Sequence, residues 1–170
     1  EFADSKQEFV LNLIDTPGHV DFSYEVSRTL AACEGAILLV DATQGIQAQT
    51  VAHYREALKE KLTIIPVINK IDLPSAEVDL VSKVLAETFG FKKEEIILIS
   101  AKTGKNVDIL LRKIIELLPS PRGFTEKPLR ALIFDAMYDE FRGVVAYVRI
   151  VDGQVKKGDK VKFYQNSIES

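Results

Sequence analysis

The 170-residue chain has one cysteine, two histidines, no tryptophan and no long hydrophobic run. Cys33 alone cannot form an internal disulfide, and His19 and His53 are too far apart in sequence for a usual zinc spacing. The longest apolar runs, such as 36–40 and 62–68, are far shorter than the roughly 20 residues that a membrane helix needs. No basic segment followed by an apolar one opens the chain. We therefore expect a soluble, cytoplasmic protein.

A strongly basic composition is also absent, because 22 Lys and Arg residues stand against 25 Asp and Glu residues, for a net charge of -3. Domains that hold nucleic acid by its phosphates usually carry a clear excess of positive charge. Between Arg149 and Lys162, five basic side chains stand against two acidic ones. This stretch could contact RNA, but a solvated surface is the simpler interpretation.

Short β-branched runs alternate with helix-period segments through the first two thirds of the chain, which is typical of a parallel sheet flanked by helices. The pattern predicts strands at 8–14, 36–40, 64–68 and 96–99. It predicts helices that begin near Asp21, contain His53, and span 76–89 and 106–118. Asp21 and Asn106 are the predicted helix N-caps. The fold class is therefore α/β.

The pattern changes at Leu118, because the prolines and glycine of 119–123 cannot continue a helix. We expect a first domain at 1–121, a linker at 122–128 and a second domain at 129–170. The second domain has strand-like segments at 129–138, 144–151 and 160–164, separated by turn residues. These segments predict the first strands of a β-barrel and not a whole barrel.

The first candidate site follows the predicted strand 8–14 and consists of Asp15, Thr16, Pro17, Gly18 and His19. Ligands of open α/β sheets bind at strand ends. A carboxylate there can hold Mg²⁺ through water, a glycine lets a backbone N–H approach a phosphate oxygen, and an imidazole can orient an attacking water. Aspartate, proline and glycine are also ordinary turn formers, so alone this motif more often marks a turn.

The second candidate site, Asn69-Lys70-Ile71-Asp72, follows the predicted strand 64–68. Asp72 offers two acceptor oxygens that match the N1–H and the exocyclic amine of guanine, a donor pair that adenine lacks. Asn69 can donate to N7 or brace the loop, and the alkyl stem of Lys70 can lie on the purine face. The alternative is a polar loop that caps the next helix.

The third candidate site is Ser100-Ala101-Lys102, after the predicted strand 96–99, where small residues let backbone N–H groups reach a base carbonyl. A tripeptide of this kind carries little weight by itself. All three motifs, however, follow the carboxyl ends of predicted parallel strands, so we expect them to project from one edge of one sheet.

The three motifs resemble those of the GTPase superfamily, and the first resembles the translational branch, in which a histidine positions the hydrolytic water. The stretches 11–28, 30–35 and 66–76 are similar to the LepA, or elongation factor 4, family, and the similarity extends over nearly the whole chain. The resemblance implies a Ras-like P-loop NTPase GTP-binding domain followed by a translation-factor β-barrel. It also implies GTP hydrolysis on the ribosome, with back-translocation of tRNAs.

The resemblance further implies GTP or GDP and Mg²⁺ as ligands, and the ribosome and tRNA-bearing complexes as partners. It implies a monomer, with possible peripheral association with the inner membrane. His19 would be catalytic and Asp15 would hold Mg²⁺ through water. The nucleotide-binding residues that it implies are Asp15, Thr16, Pro17, Gly18, His19, Asn69, Lys70, Asp72, Ser100, Ala101 and Lys102.

One expected motif is missing, because no Gly-x-x-x-x-Gly-Lys-[Ser/Thr] occurs: Gly104-Lys105 is followed by Asn106. The family places that phosphate loop, its central strand and switch I before Glu1. A sheet without a central strand exposes two edges. We therefore expect these residues to belong to a longer polypeptide and to bind GTP poorly alone. Two alternatives are another translational GTPase, of the elongation factor G or BipA type, and a non-catalytic ribosome-binding module.

Overall fold

The structure, a computed structural model, describes residues 2–4, 7–16 and 23–164. The chain divides into two compact units, Glu1–Ser120 and Pro121–Ser170. The first unit contains helices and a parallel sheet, so the predicted α/β class is confirmed. Among the described helices, none combines the length and the hydropathy that crossing a bilayer requires.

The first unit opens with two short antiparallel strands, β1 (Phe2–Asp4) and β2 (Gln7–Phe9). The prediction of a strand over 8–14 is wrong for most of its length, because residues 10–16 have no regular secondary structure. An alternating segment forms a strand only where a neighbouring strand accepts its hydrogen bonds. Among the described residues its partner is the three-residue β1, and Leu13 is 84% exposed.

The parallel sheet has three strands, β3 (Gly35–Asp41), β4 (Thr63–Asn69) and β5 (Ile97–Leu98), with β4 in the middle. The strands β3 and β4 are paired at all seven positions, from Gly35 with Thr63 to Asp41 with Asn69. The predicted strands at 36–40 and 64–68 are confirmed, and the one at 96–99 shortens to two residues. Continuous apolar runs of this kind are typical of strands covered on both faces.

Among the described residues, four α-helices flank this sheet: α1 (Ser23–Ala31), α2 (Ala48–Lys59), α3 (Val78–Phe89) and α4 (Val107–Leu117). Leu85 of α3 packs in a cluster with Ile68, whereas Leu110 of α4 packs in another with Val67. Because adjacent strand residues point to opposite faces, α3 and α4 cover opposite sides of β4. The two clusters fix the carboxyl ends of the strands between two helical layers.

Asn106 occupies the N-cap position of α4, as predicted, but its side chain makes no capping hydrogen bond to the helix. Its backbone is left-handed, with φ 61°, and its side-chain amide donates to the carbonyl of Leu98 at 2.8 Å. The side chain therefore ties α4 to the end of β5, because that bond competes with capping. The other predicted N-cap, Asp21, lies outside the described residues.

The second unit contains a hairpin of β6 (Arg130–Asp139) and β7 (Gly143–Asp152). At its turn, Asp139 Oδ1 accepts the N–H groups of Phe141 and Arg142 at 2.9 and 2.8 Å. The predicted strands at 129–138 and 144–151 are confirmed, whereas the one at 160–164 is reduced to an isolated β-bridge at Lys162. The two hairpin strands pair with each other, and the described residues of the second unit contain no third strand with which that segment forms a ladder.

The first residues of the second unit are bonded to the end of its hairpin. Asp152, which is 9% exposed, accepts the Phe124 N–H at 3.1 Å and two guanidinium N–H groups of Arg130. The N–H of Gly153 donates to the carbonyl of Phe124 at 2.9 Å. Phe124, in the segment expected to be a linker, is thus attached to the hairpin.

Candidate functional site

The site lies at the carboxyl edge of the parallel sheet, where β3, β4 and β5 end and polar segments follow each strand. Asn69, the last residue of β4, is half-buried, and Ser100 after β5 is fully buried. The N–H of Ile99 donates to the carbonyl of Ile68 at 2.8 Å, which holds the ends of the two strands side by side. The parallel register therefore brings the second and third sequence motifs together.

The side chain of Asn69 joins these two motifs. Its Oδ1 accepts the N–H of Lys70 at 2.8 Å and the N–H of Ala101 at 2.9 Å. Lys70 has a left-handed backbone, with φ 67°, which turns the chain sharply after β4. The sequence allowed Asn69 either to brace the loop or to donate to the purine N7. The amide oxygen braces the loop, and the amide nitrogen takes no part in these two bonds.

Asp72 lies exposed at the end of the second motif and next to the third. The hydroxyl of Ser100, as a hydrogen-bond donor, lowers the pKa of the Asp72 carboxyl below its ordinary value, and the charge of Lys102 acts in the same direction. Ser100 Oγ also accepts the N–H of Thr103 at 3.1 Å, which fixes the hydroxyl. Asp72 is therefore ionised at neutral pH and presents acceptor oxygens to solvent.

A third segment completes this edge, and the sequence analysis missed it. Asp41, the last residue of β3, accepts the Lys70 ammonium at 2.6 Å and both the N–H and the hydroxyl of Thr43, at 2.8 and 2.7 Å. The hydrogen bond from Lys70 is the largest cause that lowers the Asp41 pKa to about 2. The sequence could have indicated Asp41 by its position, because it comes directly after an apolar run, as the predicted site residues do.

Of the first motif, only Asp15 and Thr16 belong to the part of the chain that the structure describes. Asp15 is exposed and Thr16 is half-buried in the irregular segment 10–16, and Asp15 makes no hydrogen bond or ion pair with another described residue. Pro17, Gly18 and His19 lie outside the described residues. The structure therefore brings the second and third motifs together, and the convergence of the first motif with them stays a prediction. The segment expected to carry the first motif is not a strand of the described parallel sheet.

Asp15 fits a magnesium ion in its donor chemistry. Mg²⁺ prefers hard oxygen ligands and is usually held by one or two carboxylates together with waters and substrate phosphates. An exposed aspartate without a protein partner among the described residues meets that requirement. No described cluster of three or more Asp, Glu, His or Cys side chains offers an alternative metal centre.

The arrangement suits a planar, nitrogen-rich ligand. An exposed carboxylate with a lowered pKa can accept two neighbouring N–H donors, and such a bidentate contact discriminates between bases by roughly 1–3 kcal/mol. The 100–102 loop lies beside it, since Ser100 donates to Asp72 and Lys102 adds its charge there. The fold and the site together define a nucleotide-binding α/β domain with its ligand at the carboxyl edge of the sheet.

Comparisons with known proteins agree with this class. Residues 2–120 match the elongation factor Tu GTP binding domain family, and residues 128–169 match elongation factor G domain 2. The chain therefore belongs to the family of elongation factor Tu GTP-binding domains.

Among curated relatives, the elongation factor 4 of Aquifex aeolicus is 61% identical over 153 residues, which are 90% of this chain and 26% of that protein. The elongation factor 4 of Chlorobaculum tepidum is 56% identical over 164 residues, or 96% of this chain and 27% of that protein. The resemblance to elongation factor 4 is thus confirmed, and the chain spans about a quarter of the length of these relatives.

A solved structure gives the same result for the fold. The crystal structure of the bacterial selenocysteine-specific elongation factor EF-Sec matches with a TM-score of 0.71 and 29% identity. The match covers 92% of this chain and 28% of that one. The fold expected from the motifs, a translation-factor GTP-binding domain followed by β-barrel strands, is confirmed.

The ion pair at Asp41 makes a prediction about pH. In a carboxyl ¹³C NMR titration of the chain, Asp41 should titrate at about 2, and Lys70→Met should raise that pKa towards the ordinary 3.8. Because the folded-state pKa is the lowered one, the stabilising contribution is complete above about pH 4 and disappears as the pH falls through about 2. Lys113→Met, on α4, should leave the Asp41 titration unchanged. An Asp41 pKa near 3.8 in the unsubstituted chain would contradict this geometry.

Proposed function

We propose that these residues form the guanine-binding part of a translational GTPase of the elongation factor 4 type, which hydrolyses GTP to GDP and phosphate on the ribosome. The observation that supports this most is the junction made by Asn69 Oδ1, which links the Asn69–Asp72 loop to Ala101 beside an ionised Asp72. The matched relatives, named elongation factor 4, support the same function.

The domain assignment follows from this proposal. Residues 1–121 are the GTP-binding domain without its phosphate loop and switch I, 122–128 are a linker, and 129–170 are the first strands of the β-barrel domain II. The division of the chain into two compact units after Ser120 supports this assignment. Within the second unit, Phe124 of the proposed linker donates its N–H to Asp152 and accepts the N–H of Gly153, so the linker is bonded to the hairpin assigned here to domain II.

In the proposed base site, Asp72 accepts the N1–H and the exocyclic amine of guanine. The backbone N–H of Lys102 is the candidate to reach the base carbonyl, because the N–H of Ser100 donates to the carbonyl of Lys105 and that of Ala101 donates to Asn69 Oδ1. The stem of Lys70 covers the purine face. Adenine presents no matching donor pair, so binding it would leave the carboxylate of Asp72 unsatisfied. Asn69 keeps the two loops at a fixed separation, which prepares the site before the base arrives.

The proposed phosphate site uses the first motif. Asp15 would hold Mg²⁺ through water, with Thr16 and Pro17 shaping the turn, and the N–H of Gly18 would contact the terminal phosphate. Mg²⁺, when bound, neutralises charge on the phosphates. His19 orients the attacking water for in-line displacement, as in other phosphoryl transfers in which the protein mainly positions the reactants.

The partners proposed here are those of a translation factor: the ribosome, with its RNA and proteins, and tRNA-bearing complexes, on which the factor acts by back-translocation. A cytoplasmic location follows from such partners. A monomeric state and peripheral association with the inner membrane stay predictions of the family resemblance.

A second candidate function is a non-catalytic ribosome-binding module. One observation favours it, namely that no Gly-x-x-x-x-Gly-Lys-[Ser/Thr] phosphate loop occurs in these 170 residues. Without that loop the triphosphate has no backbone cradle from this sequence. The two candidates differ in whether the full-length polypeptide that carries this sequence hydrolyses GTP.

The base assignment is tested by Asp72→Asn in that full-length polypeptide. The substitution should lower GDP affinity about 5- to 100-fold and raise affinity for xanthosine diphosphate, because the new amide can donate to the carbonyl that replaces the guanine amine. Asp79→Asn, an exposed aspartate in the first turn of α3, is the matched control and should change neither affinity. Calorimetric titration with both nucleotides gives the result. Unaltered base preference in Asp72→Asn would refute the assignment.

The hydrolytic role of His19 makes a separate prediction. His19→Ala should leave GTP affinity within a few-fold but slow ribosome-stimulated hydrolysis by at least about 100-fold, the usual contribution of a group that handles the reacting water. His53→Ala, on α2, serves as the control and should retain the unsubstituted rate. Phosphate release with and without ribosomes is the measurement. If the unsubstituted polypeptide releases no phosphate at all, the non-catalytic module is the better account.

A further inference from the structure

The function proposed above leaves one contact without a role, the ion pair between Lys70 and Asp41. The ammonium of Lys70 is 2.6 Å from Asp41 Oδ2. The lysine side chain is 49% exposed and the aspartate side chain 18% exposed, so the pair lies at the rim of the site with its acidic member mostly covered. Lys70 belongs to the proposed base loop, whereas Asp41 belongs to the neighbouring strand.

The Asp41 carboxylate is itself held in place. Its Oδ1 accepts both the N–H and the hydroxyl of Thr43 at 2.8 and 2.7 Å, so three donors share the two oxygens. The backbone around it is fixed as well, because the N–H of Gly45 donates to the Asp41 carbonyl at 2.8 Å. Asp41 is thus a rigid anchor that lies across from Asn69 in the sheet register.

The fold has little need of this ion pair for its own stability. The strands β3 and β4 are already in register at seven positions, and the N–H of Ala42 continues the pairing to the carbonyl of Asn69 at 2.9 Å. Partly exposed ion pairs usually add little to stability. What the pair does fix is the path of the Lys70 side chain, which would otherwise sample many rotamers.

We propose that Asp41 is a positioning residue of the base site, which holds the ammonium of Lys70 so that the lysine stem forms a prepared apolar wall for the purine. The inference rests on the proposed function. Asp41 itself does not touch the nucleotide. The Lys70 side chain is fixed at its base by the left-handed backbone and at its tip by Asp41. Its rotamer freedom is therefore lost before the nucleotide binds, so binding does not have to offset the entropy cost of ordering it.

The experiment compares Asp41→Asn, Lys70→Met and the double variant in the full-length polypeptide. Fluorescent GDP gives the dissociation rate, and titrations with GDP and xanthosine diphosphate give the base preference. We expect Asp41→Asn to accelerate GDP dissociation about three- to tenfold with an unchanged ratio of the two affinities. The double variant should be no faster than Lys70→Met alone, because Asp41 acts only through the lysine.

Glu116→Gln is the matched control, since Glu116 pairs with Lys113 at 2.7 Å on the surface of α4 and should leave the GDP dissociation rate unchanged. Thr43→Val is a second test that keeps the charge of Asp41 and removes one of its donors, and it should accelerate dissociation to a smaller extent. It replaces Asp41→Asn if that variant does not fold.

The inference fails if GDP dissociates from Asp41→Asn, or from Thr43→Val in its place, at the unsubstituted rate. It also fails if the effects of Asp41→Asn and Lys70→Met on that rate multiply. A changed base preference in Asp41→Asn would also overturn it, because it would show that Asp41 contacts the base. An unsubstituted polypeptide that binds no guanine nucleotide would instead refute the proposed function, so the two failures are distinguishable.

Discussion

The amide oxygen of Asn69 is the point on which the candidate site depends. It accepts one N–H from its own loop and one from Ala101, which lies 32 residues further along the chain. Each bond is ordinary in strength, but their common acceptor sets the distance between the loops. Once these loops are adjacent, Ser100 can donate to Asp72, which lowers the pKa of that carboxyl. The continuous apolar runs of β4 and the helices on both its faces supply the rigid base from which Asn69 reaches across.

Charge is arranged so that two aspartates at this edge have different tasks. Asp41 is saturated by Thr43 and Lys70, and its pKa falls to about 2. Asp72 is exposed, and its pKa is lowered first by the hydroxyl of Ser100, next by its own backbone N–H and last by the charge of Lys102. One carboxylate is therefore committed to organising a side chain, while the other keeps acceptor capacity for a ligand. Such a division of roles between neighbouring carboxylates follows from their surroundings.

The sequence was informative where a single property decides the structure. The runs at 36–40 and 64–68 are apolar on both faces, and this is sufficient to predict buried parallel strands and the loops after them. The segments 8–14 and 160–164 also have strand-like sequences, in which apolar and polar residues alternate. Whether they form strands depends on a partner strand, which the local sequence does not show. At Asn106 two hydrogen bonds compete for one side chain. The side chain donates to the carbonyl of Leu98 and makes no capping bond to α4. Asp41 was missed because its ion pair with Lys70 forms only when β3 and β4 pair, which places Asp41 opposite Asn69, the residue before Lys70.

The most direct measurement is a ¹⁵N chemical-shift titration of the full-length polypeptide with guanosine diphosphate and, separately, adenosine diphosphate. The guanosine nucleotide should shift the amide signals of Lys70, Ala101 and Lys102 together at one affinity, since Asn69 couples their loops. The adenosine nucleotide should leave these signals unchanged at the same concentrations. Equal shifts with both nucleotides, or shifts confined to one of the two loops, would contradict a joined guanine site at this edge of the sheet.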